Sequence, residues 1–586
     1  MIDMSALVAR ILRPGSADPR DIRMDWWLLL LLALVLIATG VGLRDPWPAD
    51  EPRFALIARD MMLSGDWLIP QVGGDIYADK PPLFFWLLAI SMSVTQSVRV
   101  GFLLPSLFAG IGCVVLVYDL ARRLWNRETG LLAAVVLLFS VQFVWQARQA
   151  QIDATLCFWT TLGLYGLLRH CLLGPSWRWY AVGWAAAGLG IITKGVGFLP
   201  LLVLIPFALM RRGQWTPRAM FVGGWRWLLG PLALLVAVSI WLAPMLLAAQ
   251  GDPQLAAYRD EILFHQTVNR YAAAWHHREP FWYFIVEVIP LLWLPLTALL
   301  PWLWPHWRAA FRARDMRIAL PLVWVVLVVL FFSLSSGKRG VYVLPALPAL
   351  VLAAAPYIRD LALLRRPQRT LFIIACVIAG ACIATALYLL GDNGARQKII
   401  DQYEIDAVAP LLAIGGLSVL ACIVARPSRG FVAYAATLCI VMLLVSFRVN
   451  PLINDVRSGA DFIRKVEQQA AAFSPRRQLG FVAYKEQYLL YVDQPVTNFG
   501  HARWRDAWHE AADAAAWLAV DPSRLLLVDE TARTSCFAGA QAREVAMANR
   551  VKWSLVTGNA NPECVKNGRL AAARTYLRGI KLRDAD

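Results

Sequence analysis

The chain has 586 residues, 59% of them apolar, and a formal net charge of +17 at pH 7. An apolar share well above the roughly 45–50% usual for soluble domains excludes an ordinary soluble protein and leaves a polytopic α-helical membrane protein. The basic excess calls for no nucleic-acid partner, because the arginines gather in short stretches between apolar runs, which is how a membrane chain sets its orientation.

Arg10, Arg13, Arg20 and Arg23 precede an apolar run over 26–43 that is long for a signal peptide and meets no clear small-residue cleavage site. It reads as a retained first helix, with residues 1–25 in the cytoplasm. The loop that follows, 44–99, interleaves Asp45, Asp50, Glu51, Asp60, Asp66, Asp75 and Asp79 with Arg44, Arg53, Arg59 and Lys80. Its apolar piece 83–98 reads as an interfacial helix, because a crossing there would turn every later arginine cluster outward.

Further spans are expected near 100–120, 130–147, 153–170, 179–193, 195–210, 226–248, 284–304, 318–334, 341–357, 371–391, 408–425 and 431–448, about thirteen with the first. Clusters such as Arg122, Arg123 and Arg127, or Arg365, Arg366 and Arg369, then all face the cytoplasm. The transmembrane domain is 26–449, with a second large outer loop over 249–283. An odd number of crossings leaves 450–586 outside, in the periplasm of a Gram-negative cell. This tail is expected to form a small α/β domain, with strands over 479–484, 488–492, 525–528 and 551–556 and helices over 504–519 and 542–549. An oxidising compartment could bridge its two cysteines, Cys536 and Cys564, and both states stay open at this level.

No zinc-finger spacing, P-loop, dinucleotide fingerprint or zincin motif is present. Glycine pairs such as Gly415-Gly416 fit helix packing, and no repeat relates the two halves of the chain, which disfavours a rocking transporter. With this topology Arg148, Asp153, Lys194, His265, Arg270, Lys338, Arg339 and Tyr342 fall on the outer side together with the first loop. Cations outside run against the positive-inside tendency and point to an anionic partner at that depth, for which a lipid phosphate is suitable. Headgroup snorkelling is the plainer reading for any one of them. A lone aspartate is ordinarily a solvated loop residue or a helix N-cap, but Asp50 and Asp153 lie at the same depth and could share one cavity.

The runs Asp50-Glu51-Pro52-Arg53-Phe54-Ala55, Arg59-Asp60-Met61-Met62, Ser64-Gly65-Asp66-Trp67 and Asp79-Lys80-Pro81-Pro82 resemble the first periplasmic loop of the aminoarabinose transferases and the related protein O-mannosyltransferases. Asp153, Thr193-Lys194-Gly195, Pro280-Phe281-Trp282-Tyr283 and Phe331-Phe332-Ser333 followed by Lys338 and Tyr342 extend the likeness collinearly over about the first 450 residues. The resemblance implies a C-type glycosyltransferase fold and an inverting transfer of sugar from an undecaprenyl-phosphate donor, with lipid A or another envelope glycan as acceptor, by a monomer. It implies that Asp50 and Asp153 are the two functional aspartates, and that Arg59, Tyr77, Lys80, Arg270, Lys338 and Tyr342 line the donor-phosphate pocket. Glu51, Arg53, Lys194, Arg148, Asp79 and His265 form a second tier. Asp79 stands where a glutamate is usual, and no histidine lies between Lys338 and Tyr342, so a zinc site on Asp79 and His265 would lack its third protein ligand. No cofactor is therefore expected. Transfer to a protein or surface-glycan hydroxyl, a lipid-linked-sugar transporter and a non-catalytic lipid-binding scaffold are the alternatives. A hydroxyl acceptor would need Asp50 as general base, whereas a phosphate acceptor would leave both aspartates to hold the sugar.

Overall fold

The computed structural model describes residues 19–215, 224–263, 279–473, 478–500 and 507–576. Among these, eight helices are long and apolar enough to cross a bilayer, or nine if Phe284–Leu292 and Leu296–Arg312, bent by 103°, form one broken span. The protein is therefore a mostly helical, multi-pass membrane protein. These nine match nine of the expected runs. The remaining four, 26–43, 130–147, 153–170 and 179–193, are also helical but shorter or more polar. Pro19–Ala33 and Trp177–Ile191 have 15 residues each and Arg127–Leu138 has 12, while Ile152–Leu172 carries Asp153, Arg169 and His170. Twelve residues rise only about 18 Å, against roughly 30 Å of hydrocarbon.

The piece read as interfacial is a helix, Leu83–Thr95, of 13 residues. It stops at Gln96, which takes a left-handed conformation, and Ser97 caps the next helix by accepting from the Val100 N–H. Its Phe84, Phe85, Leu88, Ala89 and Met92 pack on the first-loop helix Glu51–Ser64. Helices Ile152–Leu172 and Trp177–Ile191 form an antiparallel hairpin with almost no side chain between them. A Cβ on Gly166 would stand 2.5 Å from the Trp179 carbonyl oxygen. Such contact returns the end of the second helix to the start of the first.

The tail carries a six-stranded sheet with strands β3 (Leu479–Phe481), β4 (Val496–Asn498), β5 (Leu525–Asp529), β6 (Gln541–Ala548), β7 (Val551–Thr557) and β8 (Arg574–Tyr576), numbered after the first-loop hairpin of β1 (Gln71–Val72) and β2 (Asp75–Ile76). The order is β6-β7-β5-β3-β4-β8, with β3 parallel to β4 and β5 and the other pairings antiparallel. Two expectations are corrected. Residues 541–548 are a strand rather than a helix, because Asn549 and Arg550 both take positive φ and close a two-residue hairpin onto β7. The strand expected over 488–492 does not form: Glu486–Leu489 is a helical turn and residues 490–492 continue it as a turn and loop. The helix expected over 504–519 is Ala507–Val520. Cys536 and Cys564 are joined in a disulfide.

The first loop and the tail share one hydrophobic core. Phe54, Ala58, Phe84 and Phe85 from the loop belong to the same buried cluster as Phe462, Tyr488, Leu527 and Trp553. The β1–β2 turn joins them in polar fashion, with Asn498 donating to the Gly73 carbonyl at 3.1 Å.

Candidate active site

Asp50 occupies the N-cap position of helix Glu51–Ser64, yet its side chain makes no capping hydrogen bond. Its carboxylate instead accepts from the Arg339 guanidinium at 3.0 Å. Arg339 opens the 3₁₀ turn Gly340–Ala346, which leads into the helix Leu347–Leu363. That turn lies beside Ile152–Leu172, where the Cys157 thiol meets the Leu344 carbonyl.

Asp153 sits in the first turn of Ile152–Leu172, and Lys194 follows the last turn of Trp177–Ile191. The tight hairpin brings them together, so that the Lys194 ammonium donates to the Asp153 carboxylate at 2.5 Å and stands 4.4 Å from the centre of the Tyr342 ring. Arg339 feels the charge of both aspartates. Burial would lower its pKa, but Asp50 and then Asp153 hold it above the ordinary arginine value. Asp50 thus pairs with Arg339 and Asp153 with Lys194, the second acid acting on Arg339 only through its charge. The sequence marks Arg339 only as one outer cation beside Lys338, and that neighbour is its one local signal.

On the loop side, Arg53 reaches Glu486 of the tail at 2.8 Å and is also close to Tyr77 and Asp50. Tyr77 is buried, and burial together with the charge of Asp79 pushes its phenol well above the usual range. Lys80 donates to the Asp79 carbonyl at 2.9 Å, and Lys338 to the Glu279 carbonyl at 2.7 Å.

Three expected site residues do other work. Arg59, expected beside the donor phosphate, is buried and donates to the Leu489 and Leu490 carbonyls and, at 2.9 Å, to the Tyr576 hydroxyl. Through its two terminal nitrogens it fastens the loop helix to the tail, since a buried guanidinium seeks acceptors wherever the packing offers them. Glu51 takes both terminal nitrogens of Arg44 and the N–H groups of Trp47 and Ala150, which leaves it no open face. Arg148 donates to the Leu36 and Thr39 carbonyls and to the Ser446 hydroxyl, stitching helix ends together. Arg270 and His265 lie outside the described residues. Among the described residues no group of three His, Cys, Asp or Glu side chains is placed to hold a metal ion.

The geometry offers carboxylates, a lysine and an arginine in alternation, flanked by tyrosines, where helix ends meet the loop. A phosphate could exchange for the carboxylates on Lys194 and Arg339, leaving the freed acids to bind or deprotonate a neighbouring group.

Residues 79–242, which include Asp79, Lys80, Asp153 and Lys194, match the family described as dolichyl-phosphate-mannose-protein mannosyltransferase. An undecaprenyl phosphate-alpha-4-amino-4-deoxy-L-arabinose arabinosyl transferase of Pseudomonas paraeruginosa is 33% identical over 342 residues, 56% of this chain and 59% of the relative. The chain thus spans about six tenths of that relative's length. The enzyme of that name from Yersinia pestis is 28% identical over 451 residues, covering 75% of this chain and 78% of the relative. The crystal structure of ArnT from Cupriavidus metallidurans bound to undecaprenyl phosphate superposes with a TM-score of 0.73 at 21% identity, over 90% of this chain and 97% of that one. In sequence and in fold the chain is similar to these transferases, as its first-loop motifs implied.

Proposed function

We propose that this ArnT-like chain is an inverting glycosyltransferase of the bacterial inner membrane, which moves 4-amino-4-deoxy-L-arabinose from an undecaprenyl-phosphate donor to a lipid A phosphate on the periplasmic side. The observation that carries the reading is the adjacent pairs Asp50–Arg339 and Asp153–Lys194, with Tyr342 against Lys194 and the charge of Asp153 acting on Arg339. In this reading the bond between the sugar's anomeric carbon and the donor phosphate oxygen breaks as an acceptor oxygen bonds to the opposite face. Undecaprenyl phosphate leaves with one more negative charge. Lys80, Lys194, Lys338 and Arg339, and Arg270 from the second loop, stabilise that charge at a membrane edge where water is scarce. An ionised phosphate acceptor needs no base, so Asp50 and Asp153 hold the sugar, whose amino group is a cation suited to them. No cofactor takes part, and the chain works as a monomer.

The proposed topology has thirteen crossings, a cytoplasmic N-terminus and a periplasmic tail. The Cys536–Cys564 bridge supports an oxidising location for the tail. The match of residues 79–242 to protein mannosyltransferases supports a second reading, in which the acceptor is a protein or glycan hydroxyl and Asp50 takes its proton. Mass spectrometry of lipid A from cells with and without the chain separates the two, because only the first adds aminoarabinose to the lipid A phosphates. In the purified enzyme, Asp50→Asn and Lys80→Ala are each expected to abolish transfer while the protein stays folded in detergent. Near-normal turnover in either refutes the site.

A further inference from the structure

Away from the aspartate cluster, the helices Arg365–Gly391 and Val408–Ala425 are peripheral: only 22% and 33% of their apolar windows are buried, against 78% for Gly340–Leu363. Between them runs an open groove of about 330 Å³. Its walls include Phe372, Cys376 and Gly380 from one helix and Cys422 and Ile423 from the other, and Arg426 lies at one end. Gly380 is exposed, and a Cβ there would meet no atom within 4 Å, so this part of the groove is open.

The end marked by Arg426 is strongly basic. Gln368, beside Arg369, accepts from the Phe431 N–H at 3.1 Å, which holds the start of one helix against the 426–430 turn. Arg365, Arg366, Arg369, Arg426 and Arg429 therefore gather at this end, all exposed, with Asp360 the acid nearest in sequence. None of the five is in an ion pair among the described residues. Gly340–Leu363 starts at the aspartate cluster and ends where Arg365–Gly391 begins, so its 24 residues separate the two places by about 36 Å. The groove is thus remote from the candidate active site.

We propose that this groove binds a membrane phospholipid with an anionic headgroup, one acyl chain lying against Phe372, Gly380 and Ile423 and the phosphate resting on Arg426. Orientation alone needs arginines near a span, but it needs no cleft leading from them into the hydrocarbon. A guanidinium at the mouth of an apolar cleft fits a molecule with a phosphate at one end and an acyl chain at the other. A second copy of the chain is a poorer occupant, because a symmetric contact would bring two sets of five arginines together.

The test uses the full-length chain, purified in detergent, stripped of lipid and placed in nanodiscs of phosphatidylglycerol or phosphatidylcholine. Native mass spectrometry reads the retained lipid after ejection. The wild type is expected to retain phosphatidylglycerol about fivefold over phosphatidylcholine. Gly380→Leu fills the groove from a position with room for it and is expected to lose that retention. Arg426→Gln leaves the groove open and is expected to lose the headgroup preference. Equal retention of the two lipids by the wild type, unchanged retention in Gly380→Leu, or a preference that survives Arg426→Gln overturns the proposal. So does a wild-type dimer that Gly380→Leu dissolves. None of these readouts depends on glycosyl transfer.

Discussion

Asp60 offers a test of how the loop helix is held to the tail. It is buried, accepts from the Gly73 N–H at 3.0 Å and from the Tyr576 hydroxyl, and lies beside Arg59. Burial is the largest influence and pushes its pKa from 3.8 up to about 6, while Arg59, Tyr576 and Gly73 pull it partly back. A carboxyl that holds its proton more tightly when folded stabilises the fold fully below its unfolded pKa. That contribution is lost as pH rises through the folded one. Between pH 3.8 and about 6 the loss amounts to about 3 kcal/mol. Asp60→Asn cannot ionise and removes this slope. The assay is thermal unfolding in detergent at pH 3.5 to 7.5, followed by tryptophan fluorescence, to which Trp553 in the shared core contributes. The stability of the variant minus that of the wild type, taken at each pH, cancels the other titrations and is expected to become more positive up to about pH 6 and then level off. Parallel curves would refute the reasoning, and so would a variant that loses ground as pH rises, which would mean that Arg59 outweighs burial.

Replacing Cys536 and Cys564 together by serine releases a link between positions 28 apart and should destabilise the tail by about 3 kcal/mol, read as faster limited proteolysis; an unchanged cleavage rate would count against it. Gly73→Ala puts a side chain at a φ of +60° and against the Tyr484 hydroxyl, so the loop–tail junction should weaken by about 1–3 kcal/mol in thermal unfolding. Exchanging the charges of the pair Arg53 and Glu486 tests whether the tail positions the Asp50 helix: Arg53→Glu and Glu486→Arg should each slow donor turnover by about ten- to a hundredfold, and the double variant should recover part of it. A double variant as slow as the slower single would show that the pair does not act as a unit.

Asp50 and Asp153 both stand at helix starts, where a capping role is the local default. What separates Asp50 from a cap is a partner, Arg339, that is 289 positions away in sequence.

The amino-acid sequence by itself determined the apolar helices and the short Leu83–Thr95 piece, because length, hydropathy and charge act locally and add along the chain. It also led to β5 and β7, whose branched and apolar runs favour strands. Only the tertiary structure decided that 541–548 is a strand, since its alanine-rich, helix-favouring residues gain more by pairing with β7. Only it sent Arg59 to the tail and Arg339 to Asp50. A long cationic side chain bonds whichever acceptors the fold brings within reach, and which acceptors those are depends on the packing of segments hundreds of residues apart.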